Sequence, residues 1–193
     1  MAVPTSAIAA LGVASAQDSV YRTGHLTYTC DFPLIGSDTA TVQWTAAGPR
    51  SIAVGGEVVL GDVTAVIVLP QRVVAQLYDL AGVDGIGGTV NASIGVSGGA
   101  AAGLTIRGLG VAETFFDPQQ DFPVHALKRP STNVPTLTAG AAAGPLVVQM
   151  GPTFTVHADL HYQNAQPEWQ RSAPFDCQLD EGQDSNLASI TVS

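Results

Sequence analysis

The chain has 193 residues, 46% of them hydrophobic and only 12% charged, with 21 glycines and 12 prolines. That balance is too apolar for a disordered chain and too rich in Gly and Pro for a helical one; it fits one domain of many short strands joined by tight turns. The net charge is −9, and the seven basic residues (Arg22, Arg50, Arg72, Arg107, Lys128, Arg129, Arg171) are scattered. No basic stripe exists to displace the counterions of a nucleic acid, and an anionic membrane surface is disfavoured for the same reason. No run reaches the roughly 18 apolar residues of a membrane-spanning helix.

Residues 1–22 are rich in Ala, Ser and Val and carry no charged side chain before Asp18. They are read as an extended N-terminal arm, packed against its own sheet or a neighbouring molecule, ahead of a β-sandwich domain over residues 23–193. Within it, AIAALGVASA (7–16) has the apolar stretch and Ala-x-Ala ending of a secretion signal but lacks the basic region before it. It is therefore expected to belong to the mature protein. Val3, Ile8, Leu11 and Val13 are its candidate partner-binding side chains.

Strand signals follow from residue 25. HLTYTCDF (25–32) alternates, with Leu26, Tyr28 and Cys30 on one face, and ATVQWTA (40–46) puts Val42 and Trp44 together. Residues 51–60 form a third candidate, broken at Gly55-Gly56, and DVTAVIVL (62–69) reads as a buried strand. The period then changes. Val73, Val74, Leu77, Leu80 and Ala81 recur at helical spacing between Pro70 and Gly82, predicting one short helix that caps an end of the sandwich.

Strands resume at 89–96 and 104–114 around a small-residue turn. The proline-rich stretch 115–145 is expected to be a long connection with one edge strand near 124–127. FTVHADLHY (154–162) alternates most cleanly, followed by strands at 173–179 and 188–192. Strands at this spacing suggest an all-β, immunoglobulin-like antiparallel β-sandwich. The Cys30…Trp44 opening is immunoglobulin-like, but Cys177 lies too far away to be the usual second cysteine. The two cysteines are an even count, which suggests one bridge in an exported domain and two unrelated thiols in a reducing cytosol.

Chemistry-bearing patterns are sparse. His157, Asp159 and His161 share a strand face, about 6–7 Å apart in sequence steps; a metal would need further ligands, and a solvated strand face explains them as well. Asp176, Asp180, Glu181 and Asp184 crowd around Cys177 and Gly182 without a calcium-loop spacing, and read as a solvated acidic turn. No Gly-x-Ser-x-Gly elbow occurs, and the glycines at 85, 87 and 88 follow a helix rather than opening one. No catalytic residue, metal or cofactor is assigned. Trp44 suits the core, whereas Trp169, in the polar loop 163–171, reads as the exposed aromatic and a candidate for contact with a partner or a glycan.

Two segments carry a family resemblance. YTCDFPLIG (28–36) resembles the opening, and CQLDEGQDSNLA (177–188) the ending, of a family of secreted actinobacterial proteins of unknown function; the order between them is also similar, including the run from Pro70 into Val83-Asp84-Gly85. The resemblance implies a secreted β-sandwich with a Cys30–Cys177 bridge, and no catalytic residues. The expected function is a non-enzymatic secreted structural or interaction module, part of an extracellular or cell-envelope assembly with protein partners or copies of itself. Its arm can act by adding a strand to another sheet edge. The alternative is a glycan- or cell-wall-binding module using Trp169 and the acidic turn.

Overall fold

A computed structural model describes residues 18–163 and 168–193. The chain runs β1 (Asp18–Arg22), β2 (Leu26–Phe32), β3 (Gly36–Pro49), β4 (Ser51–Ile52), β5 (Glu57–Val59) and β6 (Gly61–Leu69), then α1 (Gln71–Asp79). It continues through β7 (Val83–Ser97), β8 (Gly99–Ala101), β9 (Thr105–Phe115), β10 (Phe122–Leu127), β11 (Thr136–Ala139) and β12 (Gly144–Tyr162). It ends with β13 (Trp169–Arg171), β14 (Phe175–Leu179) and β15 (Asn186–Val192). The all-β, mainly antiparallel sandwich is thus present, with one short helix and one parallel pairing, β15 with β4, among the described residues.

The main sheet is ordered β14-β2-β3-β6-β10-β9-β7-β12-β15-β4. β14 pairs both β2 and β12, so the two layers are joined along that side and the sheet closes on itself. A second, three-stranded sheet is ordered β5-β11-β8.

Alternation fills the space between the layers. Ala40, Val42, Trp44 and Ala46 of β3 point inward, as do Val63, Ala65, Ile67 and Leu69 of β6 and Phe154, Val156, Ala158 and Leu160 of β12. The layers meet at aromatics: Phe154 lies 4.8 Å from Tyr28 and 6.1 Å from Trp44, ring centre to ring centre, edge-on in both cases. Removing the Phe154 ring would cost about 3–5 kcal/mol, the usual penalty for emptying an aromatic core position.

β12 is long because it serves three neighbours on one side while β7 follows it on the other. Its first part pairs β15, its middle pairs β14 and its end pairs β13. The changeover falls at the irregularity between Met150 and Phe154, where Gly151 is required: a Cβ there would stand 2.3 Å from Ser93 Oγ. That hydroxyl accepts from Thr153 N–H (3.1 Å) and donates to the Thr153 carbonyl (2.5 Å), satisfying the interrupted ladder.

The helix agrees in place and punctuation with its prediction. Val73, Val74 and Leu77 are buried, but Leu80 is 78% exposed because α1 stops at Asp79, before the predicted stripe ends. Residues 18–22 of the predicted arm are β1, paired with β3 from Asp18↔Pro49 to Arg22↔Thr45. The candidate over 51–60 divides into β4 and β5 at Gly55, whose φ is +69°. One expectation is corrected: the strand placed at an edge near 124–127 lies between β6 and β9. Pro123 is tolerated there because β9 pairs only Ala126 and Leu127, so the proline lies beyond the shared ladder.

Candidate functional site

Cys30 and Cys177 form the disulfide that the resemblance implies. They are direct register partners across β2 and β14, and Cys177 also faces Phe154 of β12. The bond therefore sits where the two layers join. The acidic turn behind it has a structural role. Gly182 turns the chain at φ +79°. Gln183 then reaches back to β2, its Oε1 accepting from Thr27 N–H (2.7 Å) and its Nε2 donating to the Thr27 carbonyl (2.8 Å). Asp184 accepts from the Asn186 N–H (3.0 Å) and opens β15. Asp180 and Asp176 each accept from a threonine hydroxyl, of Thr29 and Thr155 respectively. These carboxylates are spread along strand edges, and no group of three or more metal-ligating side chains occurs among the described residues.

His157, Asp159 and His161 share one face of β12, but each has a different partner. His157 bonds to Asn91 (3.1 Å) and Asp159 pairs with Arg171 (2.9 Å). His161 is only 9% exposed, a correction to the solvated-face reading. It keeps its register, opposite Gly85 of β7 and Trp169 of β13, and is covered on that outer face by Phe115 and Trp169. His161 Nδ1 lies 2.5 Å from Asp84 Oδ1 of β7, and Nε2 lies 3.4 Å from Glu168. The Asp84 hydrogen bond raises its pKa above the usual imidazole value; burial opposes this, and Glu168 adds to it. The ring is flanked edge-on by Phe115 (4.8 Å) and Trp169 (5.1 Å). A carboxylate-held histidine is two-thirds of a nucleophile-activating triad, but its second nitrogen faces Glu168 rather than a hydroxyl or thiol.

Val3, Ile8, Leu11 and Val13 lie outside the described residues. Trp169 is half-buried in β13, packed on His161 and 5.9 Å from Phe115, and Phe115, 60% exposed, is the open aromatic of the pair. Sequence reasoning passed over Phe115, Asp84 and Gln183. Asp84 and Gln183 lie inside the segments that carried the resemblance, which was the available signal.

Two apolar spaces lie on either side of Ile86, Val111 and Val124. An interior cavity of about 40 Å³ is lined by Leu69, Leu77, Phe154 and the disulfide, among others. A slot of about 180 Å³ lies between β9 and β10, walled by Ala112, Thr114, Phe122, Pro123 and His125. Ile86, Val111 and Val124 line both. The slot exists because β9 and β10 separate. β9 carries an irregularity against β7 between the Gly88↔Val111 and Ile86↔Thr114 pairs, and pairing with β10 stops at Val111. A bulge bends its strand and ends pairing in this way.

Fold and site together define a disulfide-linked β-sandwich with an apolar gap between two of its strands. The family model for a family of unknown function, DUF6801, matches residues 27–188, and the chain belongs to that family. The match spans both cysteines and the Gly182–Asp184 turn. No curated protein and no solved structure matches the chain.

Proposed function

We propose that the protein is a non-enzymatic, secreted interaction module of an extracellular or cell-envelope assembly, exported by an actinobacterium, and that it joins its partner by strand addition through its N-terminal arm. The observation that carries this reading is β1. The last five residues of the arm, Asp18–Arg22, enter the fold as an added strand, pairing with β3 through five consecutive register partners. The same mode, extended to another sheet edge, would draw affinity from main-chain hydrogen bonds and specificity from alternate side chains. Secretion is supported by the Cys30–Cys177 bond, since such bonds persist in oxidising compartments. No described helix is long and apolar enough to cross a membrane.

The test is deletion of residues 2–17, which leaves β1 intact. Co-purification of the partner or further copies is lost while the near-ultraviolet circular dichroism of the domain is kept. Retention of the complex by the deleted chain would end this reading. The glycan- or cell-wall-binding alternative draws on the surface aromatics Phe115 and Trp169. Pull-downs on peptidoglycan and on polysaccharides, compared with Trp169→Ala, separate it from the first.

A further inference from the structure

We infer that the slot between β9 and β10 is the acceptor for the N-terminal segment, residues 2–17, of a second copy of this chain; the inference rests on the strand-addition reading above and specifies its receiving site.

Three observations lead there. The first is that the slot is edged by unpaired main chain. Lys128 N–H donates to the Val63 carbonyl of β6. By the alternation of an antiparallel ladder, Ala126, Val124 and Phe122 then also face β6, while Leu127, His125 and Pro123 face β9. Leu127 meets Gly110, but His125 and Pro123 have no register partner on that side. Across the slot, the Ala112 carbonyl takes a hydrogen bond from its own neighbour, the Thr114 hydroxyl (3.1 Å), rather than from β10. An edge of this kind recruits a peptide, whose amides can pair with it. A lipid or other apolar small molecule could fill the space but leave the edge unpaired.

The second observation is chemical match. The slot floor is Ile86, Val111 and Val124, and its lining carries no Asp, Glu, Lys or Arg. Exposed Leu127 closes one end, and exposed Phe115 lies one residue beyond Thr114 at the other. Residues 2–17 (AVPTSAIAALGVASAQ) contain no Asp, Glu, Lys, Arg or His and offer Ile8, Leu11 and Val13 for such a floor. The third is direction. Asp18 stands opposite Pro49, at the end of β3 remote from the slot, where Phe122 faces Leu69 and Val124 faces Ile67, itself opposite Val42. The chain enters β1 from the Pro49 end, and the slot is assigned to the segment of a second copy.

The experiment uses the full chain carrying Ala112→Cys, an exposed wall position, labelled with benzophenone maleimide. Equal parts of ordinary and nitrogen-15-labelled protein are mixed, irradiated and mapped by mass spectrometry. The expected result is crosslinks from position 112 to residues 2–17, with mixed-isotope pairs present as random exchange between copies requires. Crosslinks confined to single-isotope pairs, crosslinks to other surfaces, an adduct with a non-protein apolar molecule, or none at all would each overturn the inference. A second variant, Ala112→Arg, places a charge in the apolar wall and should weaken association of copies about tenfold or more; unchanged association also overturns it. If deleting residues 2–17 abolishes assembly while position 112 captures nothing from that segment, the slot is wrong and the interaction module survives. If that deletion leaves assembly unchanged, the interaction reading is the one that fails.

Discussion

Removing the disulfide should cost the fold several kcal/mol without altering its native architecture. Cys30 and Cys177 are 147 residues apart in sequence, and closing so long a loop lowers the entropy of the unfolded chain by about 5 kcal/mol at 25 °C in the chain-entropy model. Structure retained in the unfolded ensemble reduces this, and the two buried sulfurs lost on truncation add to it. The perturbation is the double variant Cys30→Ala/Cys177→Ala, with Ala chosen because both positions are 1% exposed and a serine hydroxyl would be buried there. The expected loss is about 3–5 kcal/mol, which at a urea dependence of about 2 kcal/mol per molar lowers the midpoint by about 1.5–2.5 M. Equilibrium unfolding in urea, followed by tryptophan fluorescence, measures it, with wild type under reductant as a second arm. A loss below about 1 kcal/mol would refute the reasoning, as would a wild-type midpoint indifferent to reductant that demonstrably opens the bond.

Three further outcomes follow from local geometry. Gln183→Ala removes both bonds to the Thr27 main chain and should destabilise by about 1–3 kcal/mol; no change in urea midpoint would show that the turn does not clamp β2. Gly88→Ala would put a Cβ 2.1 Å from the His157 carbonyl at φ +121°, whereas Gly24 has open space around it. The first should lose about 3 kcal/mol or more, or fail to fold, and Gly24→Ala should stay within about 1 kcal/mol of wild type. For His161, the folded pKa is raised above the ordinary value of 6.5. Its pairing with Asp84 therefore contributes fully below that value, and the contribution is lost as pH rises through the folded pKa. The stability gap between wild type and His161→Gln should be wider near about pH 5.5 than near about pH 8.5; a gap that widens with rising pH contradicts the assignment.

Much of the fold was legible because alternation is a local signal. The inward rows of β2, β3, β6 and the second half of β12 could be read from Leu26, Val42, Ile67 and Phe154 alone. Pairing is not local. Nothing in FPVHAL distinguishes an edge strand from one that serves β9 for two residues and then leaves it, since a bulge in a different strand decides this. His161 does lie on the outer face that strand period assigned to it, but Phe115 of β9 and Trp169 of β13 cover it there, and neither neighbour is local in sequence. The turn at Gly182–Asp184 read as solvated carboxylates, while its working residue is the neutral Gln183, whose reach to Thr27 depends on β2 and β14 being neighbours.

The most direct test of the interaction account is native mass spectrometry of the full chain beside the chain lacking residues 2–17, under conditions that keep the disulfide. The account predicts a complex, of further copies or a stoichiometric protein partner, for the full chain and a lone monomer for the deleted one, with equal urea midpoints for both domains. The same mass distribution for the two chains would contradict it.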